Sequence, residues 1–193
     1  MEYFAYYSAA QELDDDFTDE FILYMEAYYP GYSRIFNNTK DRAIRMIRNG
    51  KKKVLKLSAA EESAVLSNAL YDQADEMIHT ALMKKLADRL PAGITIVFND
   101  IKSLGNTPAQ IWDIYEYFMR KGIYMTFVSG SAMDSKNILL LSRTMTPEIT
   151  KYIKTQINAF CQETERKQNM PFKLADRSRQ EKKELLLDSS AAS

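Results

Sequence analysis

The chain has 193 residues, 46% hydrophobic and 27% charged, enough for one domain with a sizeable core and ordinary for a globular protein. Lys plus Arg is 26 and Asp plus Glu is 26, a zero balance that counts against a strongly basic nucleic-acid binder. One cysteine, Cys161, excludes an intrachain disulfide, and one histidine, His79, excludes His-pair metal sites; with no apolar run near ~18 residues and no secretory h-region, a cytoplasmic protein is expected.

Residues 2–8 are rich in Tyr and Phe and predict a short strand. Over 17–28, Phe17, Phe21, Tyr24, Met25 and Tyr28 recur at spacings of three and four and predict a helix. Asp14, Asp15 or Asp16 can cap it, and Pro30-Gly31 ends it. Arg34-Ile35-Phe36 predicts a second strand. Residues 40–49 are expected to form a helical turn or two, with Arg42, Arg45 and Arg48 on one side and Gly50 as the stop. Val54–Leu57 predicts another short strand, and 59–70 and 72–90 predict helices.

Ile94-Thr95-Ile96-Val97-Phe98 follows the Pro91-Ala92-Gly93 turn; its near-continuous apolar run predicts a buried, parallel strand. Thr107-Pro108-Ala109-Gln110 carries three helix-start signals, a capping threonine, a proline in the first helical position and a glutamine where a capping box needs one. That helix runs to about Arg120, buries Ile111, Ile114, Tyr115 and Phe118, and stops at Gly122. Ile123–Val128 is the next strand. Thr146-Pro147-Glu148 opens a last helix with an apolar stripe of Ile149, Ile153, Ile157, Phe160 and Cys161. From about 171 the chain reads as a polar tail that frays. Alternating strands and helices predict an α/β domain with a mostly parallel sheet.

The order of several pieces carries a resemblance. Phe4-x-Tyr6 is followed by Arg34-Ile35-Phe36, Gly93-Ile94-x-Ile96-Val97, Leu104-Gly105, the capped helix, Lys121-Gly122-Ile123 and a long last helix ending in Glu165-Arg166. Over 1–36 and 80–168 this resembles the catalytic domain of the serine recombinases, the resolvase and DNA invertase family. The resemblance implies a resolvase-like three-layer α/β domain over 1–168, interrupted by an insertion at about 40–79, and a separate tail at 169–193. It also implies that the long C-terminal helix carries a dimer contact, with Ile149, Ile153, Ile157 and Phe160 as the interface of a homodimer.

Family chemistry uses a serine that attacks a DNA phosphate, with arginines stabilising the charge and no metal. A phosphoryl transition state spreads negative charge over its oxygens, so fixed donors must meet it. Here the serine position reads Ala10 and the arginine two before it reads Ser8. The family's Asp-Arg-Leu-Gly-Arg run reads Lys102-Ser103-Leu104-Gly105-Asn106. The nucleophile, an acid and three arginines are therefore replaced, leaving Ser8 and Asp100 as the weak catalytic candidates. Against that stands an ordinary reading, a strand serine and a turn aspartate. The family's helix-turn-helix domain would follow the last helix; the residues after Arg166 read as a polar tail, so sequence readout by that route is not expected.

Charge is segregated along the chain. Seven acids (Glu12, Asp14, Asp15, Asp16, Asp19, Glu20, Glu26) precede eight bases between Lys40 and Lys56. Arg42, Arg45, Arg48, Lys51, Lys52 and Lys53 are the candidate contacts to duplex DNA phosphates, since clustered cations release counterions from DNA; the alternative is a solvated face balancing the acidic segment. The abundant tyrosines are expected in core and interface, Cys161 as a buried small hydrophobe, His79 as a structural residue near a helix surface, and Trp112 as an interface candidate. Neither a phosphate-cradling glycine loop nor Cys/His metal spacing is present, so no cofactor or metal is expected.

The expected function is that of a serine-recombinase-like, DNA-associated protein of a mobile element, catalytically inactive, serving as an accessory or regulatory factor in recombination. Two alternatives stand beside it: a divergent active recombinase using Ser8, and a dimeric protein-interaction module without DNA binding.

Overall fold

The computed structural model describes residues 2–8, 15–38, 41–67, 73–129, 133–136, 138 and 146–166. Its chain order is β1 (Tyr3–Ser8), α1 (Asp15–Tyr28), β2 (Ser33–Asn38), β3 (Ala43–Arg48), β4 (Lys51–Lys56), α2 (Ala59–Leu66), α3 (Ala74–Arg89), β5 (Thr95–Asp100), a 3-10 turn (Ile101–Leu104), α4 (Pro108–Arg120) and β6 (Tyr124–Ser129). Residues 147–166 are also helical and are called α5. Residues 1–157 form one compact unit and 158–193 a second, so α5 crosses the boundary.

The protein has an α/β fold around one six-stranded sheet in the order β4-β3-β2-β1-β5-β6. β2, β1, β5 and β6 run parallel, and β3 and β4 extend the sheet as an antiparallel hairpin beyond β2. Thr95–Phe98 lies between β1 and β6 with parallel neighbours on both sides, the environment its apolar run predicts.

Helices cover both faces. On one, Ala5, Tyr7 and Val97 pack against Phe21 and Met25 of α1. On the other, Tyr6, Phe98, Phe127 and Tyr115 of α4 form a row of rings with neighbouring centroids 4.9, 5.5 and 6.4 Å apart, an arrangement favourable beyond the area it buries. The expected α1 stripe is only partly inward: Phe21 and Met25 are buried, whereas Tyr28 is 68% exposed. Phe17 and the capping aspartates fall where side chains are not described.

Residues 43–48 are a strand, not the expected helical turns. The residues that decide this are Asn49 and Gly50, with φ of 48° and 74°. Both sit in the left-handed region, and Arg48 pairs directly with Lys51, which makes a two-residue hairpin turn of the Asn-Gly kind. β4 accordingly begins at Lys51, three residues before the expected Val54.

α4 starts as expected: Thr107 Oγ1 accepts from the Gln110 amide 3.3 Å away. The glutamine does more than close that cap. Its Oε1 accepts from the Asn106 amide at 2.9 Å, and its Nε2 donates to Glu76 O and Thr80 Oγ1, each at 3.0 Å, tying α4 to α3. Gly122, at φ 69°, ends the helix.

The outer edge of β6 is satisfied by side chains. Ser135 Oγ accepts from the Met125 amide at 2.6 Å and donates to the Met125 carbonyl at 3.3 Å, and Asp134 Oδ1 accepts from the Phe127 amide at 2.7 Å. These two residues do for β6 what another strand would do. In α5, Ile153 and Ile157 are fully buried within the single chain, while Ile149 and Phe160 are half-buried. Of the four residues that the resemblance makes a dimer interface, Ile153 and Ile157 are thus already covered within the single chain. Cys161 is buried, and the 169–193 tail lies outside the described residues. No helix among the described residues is long and apolar enough to cross a membrane.

Candidate functional site

Two ends of the sheet are chemically distinct. The C-terminal ends of the parallel strands are where α/β folds place ligands, at the point where strand order reverses; in this sheet that point lies between β1 and β5. Ser8 pairs with Asn37 of β2, and Asp100 with Ser129 of β6. Continuing the Tyr6–Phe98 register by two residues sets Ser8 level with Asp100, so Asn37, Ser8, Asp100 and Ser129 form one polar row. The sequence candidates Ser8 and Asp100 therefore end neighbouring strands at the same edge of the sheet. Ala10 lies outside the described residues, as does the side chain of Ser8.

Most described polar atoms of that edge are engaged by the fold, whereas the buried Asn37 Oδ1 has no hydrogen-bond partner among the described residues. Asp100 Oδ1 accepts from the amides of Lys102 and Ser103, at 2.7 and 3.3 Å, and caps the 3-10 turn. Asn106 Nδ2 donates to Glu76 Oε1 at 3.2 Å. Asn37 is buried; its amide nitrogen donates to Tyr6 OH and to His79 Nδ1, each 2.9 Å away. His79 Nε2 in turn reaches the Leu104 carbonyl at 3.1 Å. Burial holds the His79 pKa below its ordinary value. The ring is a neutral tie between β2, α3 and the turn after β5, which agrees with the structural role expected of it.

The six basic candidates do not share a face. In a strand, residues three apart point to opposite sides, so Arg45 and Arg48 diverge. Arg42 forms ion pairs with Glu62 and, at 3.5 Å, with Asp75. Arg45 pairs with Asp41 at 2.8 Å and Arg48 with Glu2 at 2.6 Å. Much of the positive charge on the arginines is therefore balanced within the chain, by acids of neighbouring elements rather than by the 12–26 segment. Lys51, Lys52 and Lys53 are exposed and have no carboxylate at salt-bridge distance among the described residues.

Arg48 and the three lysines line a cleft of about 410 Å³ together with Arg89, a residue the sequence reading did not single out. Its apolar wall is Phe4, Met46, Leu90 and Pro91. Phe4 is the second residue of β1, Arg89 ends α3, and Pro91 precedes β5, so the cleft sits at the N-terminal ends of the parallel strands. Four residues of extended chain separate Phe4 from Ser8, about 13 Å at the usual rise per residue. No sequence signal links Arg89 to the hairpin; only the sheet order brings them together. Trp112 is half-buried under the Lys154 ammonium, 4.8 Å from the ring centroid.

Compared with known proteins, the chain matches no protein-family model and no curated protein.

Proposed function

We propose that this chain is a serine-recombinase-like, DNA-associated protein of a mobile element that does not transfer strands and acts as an accessory or regulatory factor in recombination. On this reading its domain is resolvase-like, its cations contact duplex phosphates without reading bases, and α5 is the element through which it associates with other copies. The observation that carries the reading is the separation of charge from the polar edge. Three lysines without a carboxylate at salt-bridge distance among the described residues stand at one end of the sheet, while at the other Asp100, Asn106 and His79 are engaged in holding the fold. A phosphoryl-transfer site needs donors aimed at the reacting phosphate, and the positions where the family resemblance puts arginines hold Ser8, Ser103 and Asn106.

The test is anisotropy of a short fluorescein-labelled duplex at two salt concentrations. Wild type binds, and binding weakens steeply with salt. Each phosphate contact contributes roughly −0.9 to the slope of log affinity against log salt, so Lys51/Lys52/Lys53→Gln flattens that slope by about three contacts' worth. Arg42→Ala and Arg45→Ala, which remove cations already paired, leave it nearly unchanged. Absence of binding at low salt sinks the DNA reading. Relaxation of supercoiled plasmid that disappears in Ser8→Ala would replace it with an active recombinase.

A further inference from the structure

The hairpin cleft combines features that a phosphate strip does not need. A duplex shows phosphates outside and keeps its bases stacked, so it reaches the cationic rim and leaves the open apolar wall of Leu90 and Pro91 uncovered, with the buried Phe4 and Met46 beneath as the floor. The volume, about 410 Å³, falls within the ~300–1,000 Å³ range of small-ligand sites. The rim is carried on rigid elements, a two-residue hairpin and the last turn of α3. Arg89 has no carboxylate at salt-bridge distance among the described residues, and nor do the lysines, so the rim keeps net positive charge even though Glu2 engages Arg48.

We propose that this cleft binds one unstacked nucleotide, with its phosphate on Lys51, Lys53 and Arg89 and its base against Leu90 and Pro91. The inference rests on the phosphate reading of the hairpin lysines, but not on the recombinase resemblance. A flat ring excludes water from the apolar wall, so the base adds affinity that a phosphate alone lacks. The same chemistry is offered by a free nucleotide and by an unpaired nucleotide in a single strand.

Calorimetric titration of the full chain with AMP, inorganic phosphate and adenosine separates the parts. AMP binds at least about tenfold tighter than either fragment. Lys53→Gln/Arg89→Gln weakens AMP by a similar factor. Leu90→Ala weakens AMP and leaves inorganic phosphate unchanged, with a thermal melt recorded for each variant to establish that it is folded. Displacement of a fluorescein-labelled oligothymidylate by AMP identifies a single strand as a source; AMP binding without oligothymidylate binding identifies the free nucleotide. AMP no tighter than phosphate, or AMP binding indifferent to both variants, overturns the inference. Duplex binding without AMP binding removes the inference and leaves the DNA reading; AMP binding without duplex binding does the reverse.

Discussion

The amide nitrogen of Asn37 lies 2.9 Å from Nδ1 of His79, and that contact assigns the protons on the chain's only histidine. An amide N–H can only donate, so Nδ1 accepts and Nε2 carries the hydrogen toward the Leu104 carbonyl. Turning the amide over would require both ring nitrogens to be protonated, a charge that burial opposes.

That neutral ring makes stability depend on pH. The folded pKa of His79 is lowered, chiefly by burial, so below the unfolded value of about 6.5 the unfolded chain binds the extra proton. The contribution is complete above that pH and is lost as pH falls toward the folded pKa, with a slope no steeper than about 1.4 kcal/mol per pH unit. Urea unfolding of wild type and His79→Gln across this window measures it. The variant is less stable at neutral pH, and the gap narrows in acid; a constant gap would refute the neutral-histidine account.

Gly105 and Gln110 compete for one space. A Cβ on Gly105 would stand 2.6 Å from Gln110 Oε1, and the glutamine is held by three hydrogen bonds. Gly105→Ala is therefore expected to cost about 1–3 kcal/mol, as overpacking does. Gly105→Ala in a Gln110→Ala background costs much less than in wild type, a coupling that a double-mutant cycle reads directly.

Ser135 is fully buried and supplies both partners of Met125 at the edge of β6. Replacing it with alanine leaves a buried donor and acceptor unpaired, a loss of about 1–3 kcal/mol. Hydrogen exchange at the Met125 amide should accelerate by more than the drop in global stability alone explains.

Asp100→Ala removes the cap of the 3-10 turn and is expected to cost about 0.5–2 kcal/mol. Asp100→Asn keeps an oxygen for the two amides and recovers most of that stability. Duplex affinity, read by anisotropy, stays unchanged in both, because the cleft cations lie at the opposite end of the strands.

The sequence made the parallel core legible because its signals are local. An apolar run places β5, and Thr107-Pro108 with Gly122 brackets α4. The hairpin was misread although its signal was present: arginines at spacings of three imitate a helical face, while Asn49-Gly50 between alternating apolar residues marks a turn. The error propagated into the site. A helical 40–49 would have gathered the three arginines, whereas strand alternation divides them and gives each an acidic partner. Arg89, the Ser135 mimic and the Asn37–His79 contact depend on chain segments brought together only by strand order. No local pattern encodes them.

The two borders of the sheet are closed to a seventh strand by unlike means. β6 is sealed by hydrogen bonds from Ser135 and Asp134. β4 pairs with no further strand among the described residues; Val54 is 47% exposed, and the strand carries like charge on Lys51, Lys52, Lys53 and Lys56 instead. Positive edge residues repel a second copy of the same edge. The lysines proposed to meet phosphate thus have a second consequence, disfavouring the pairing of β4 with another copy of itself.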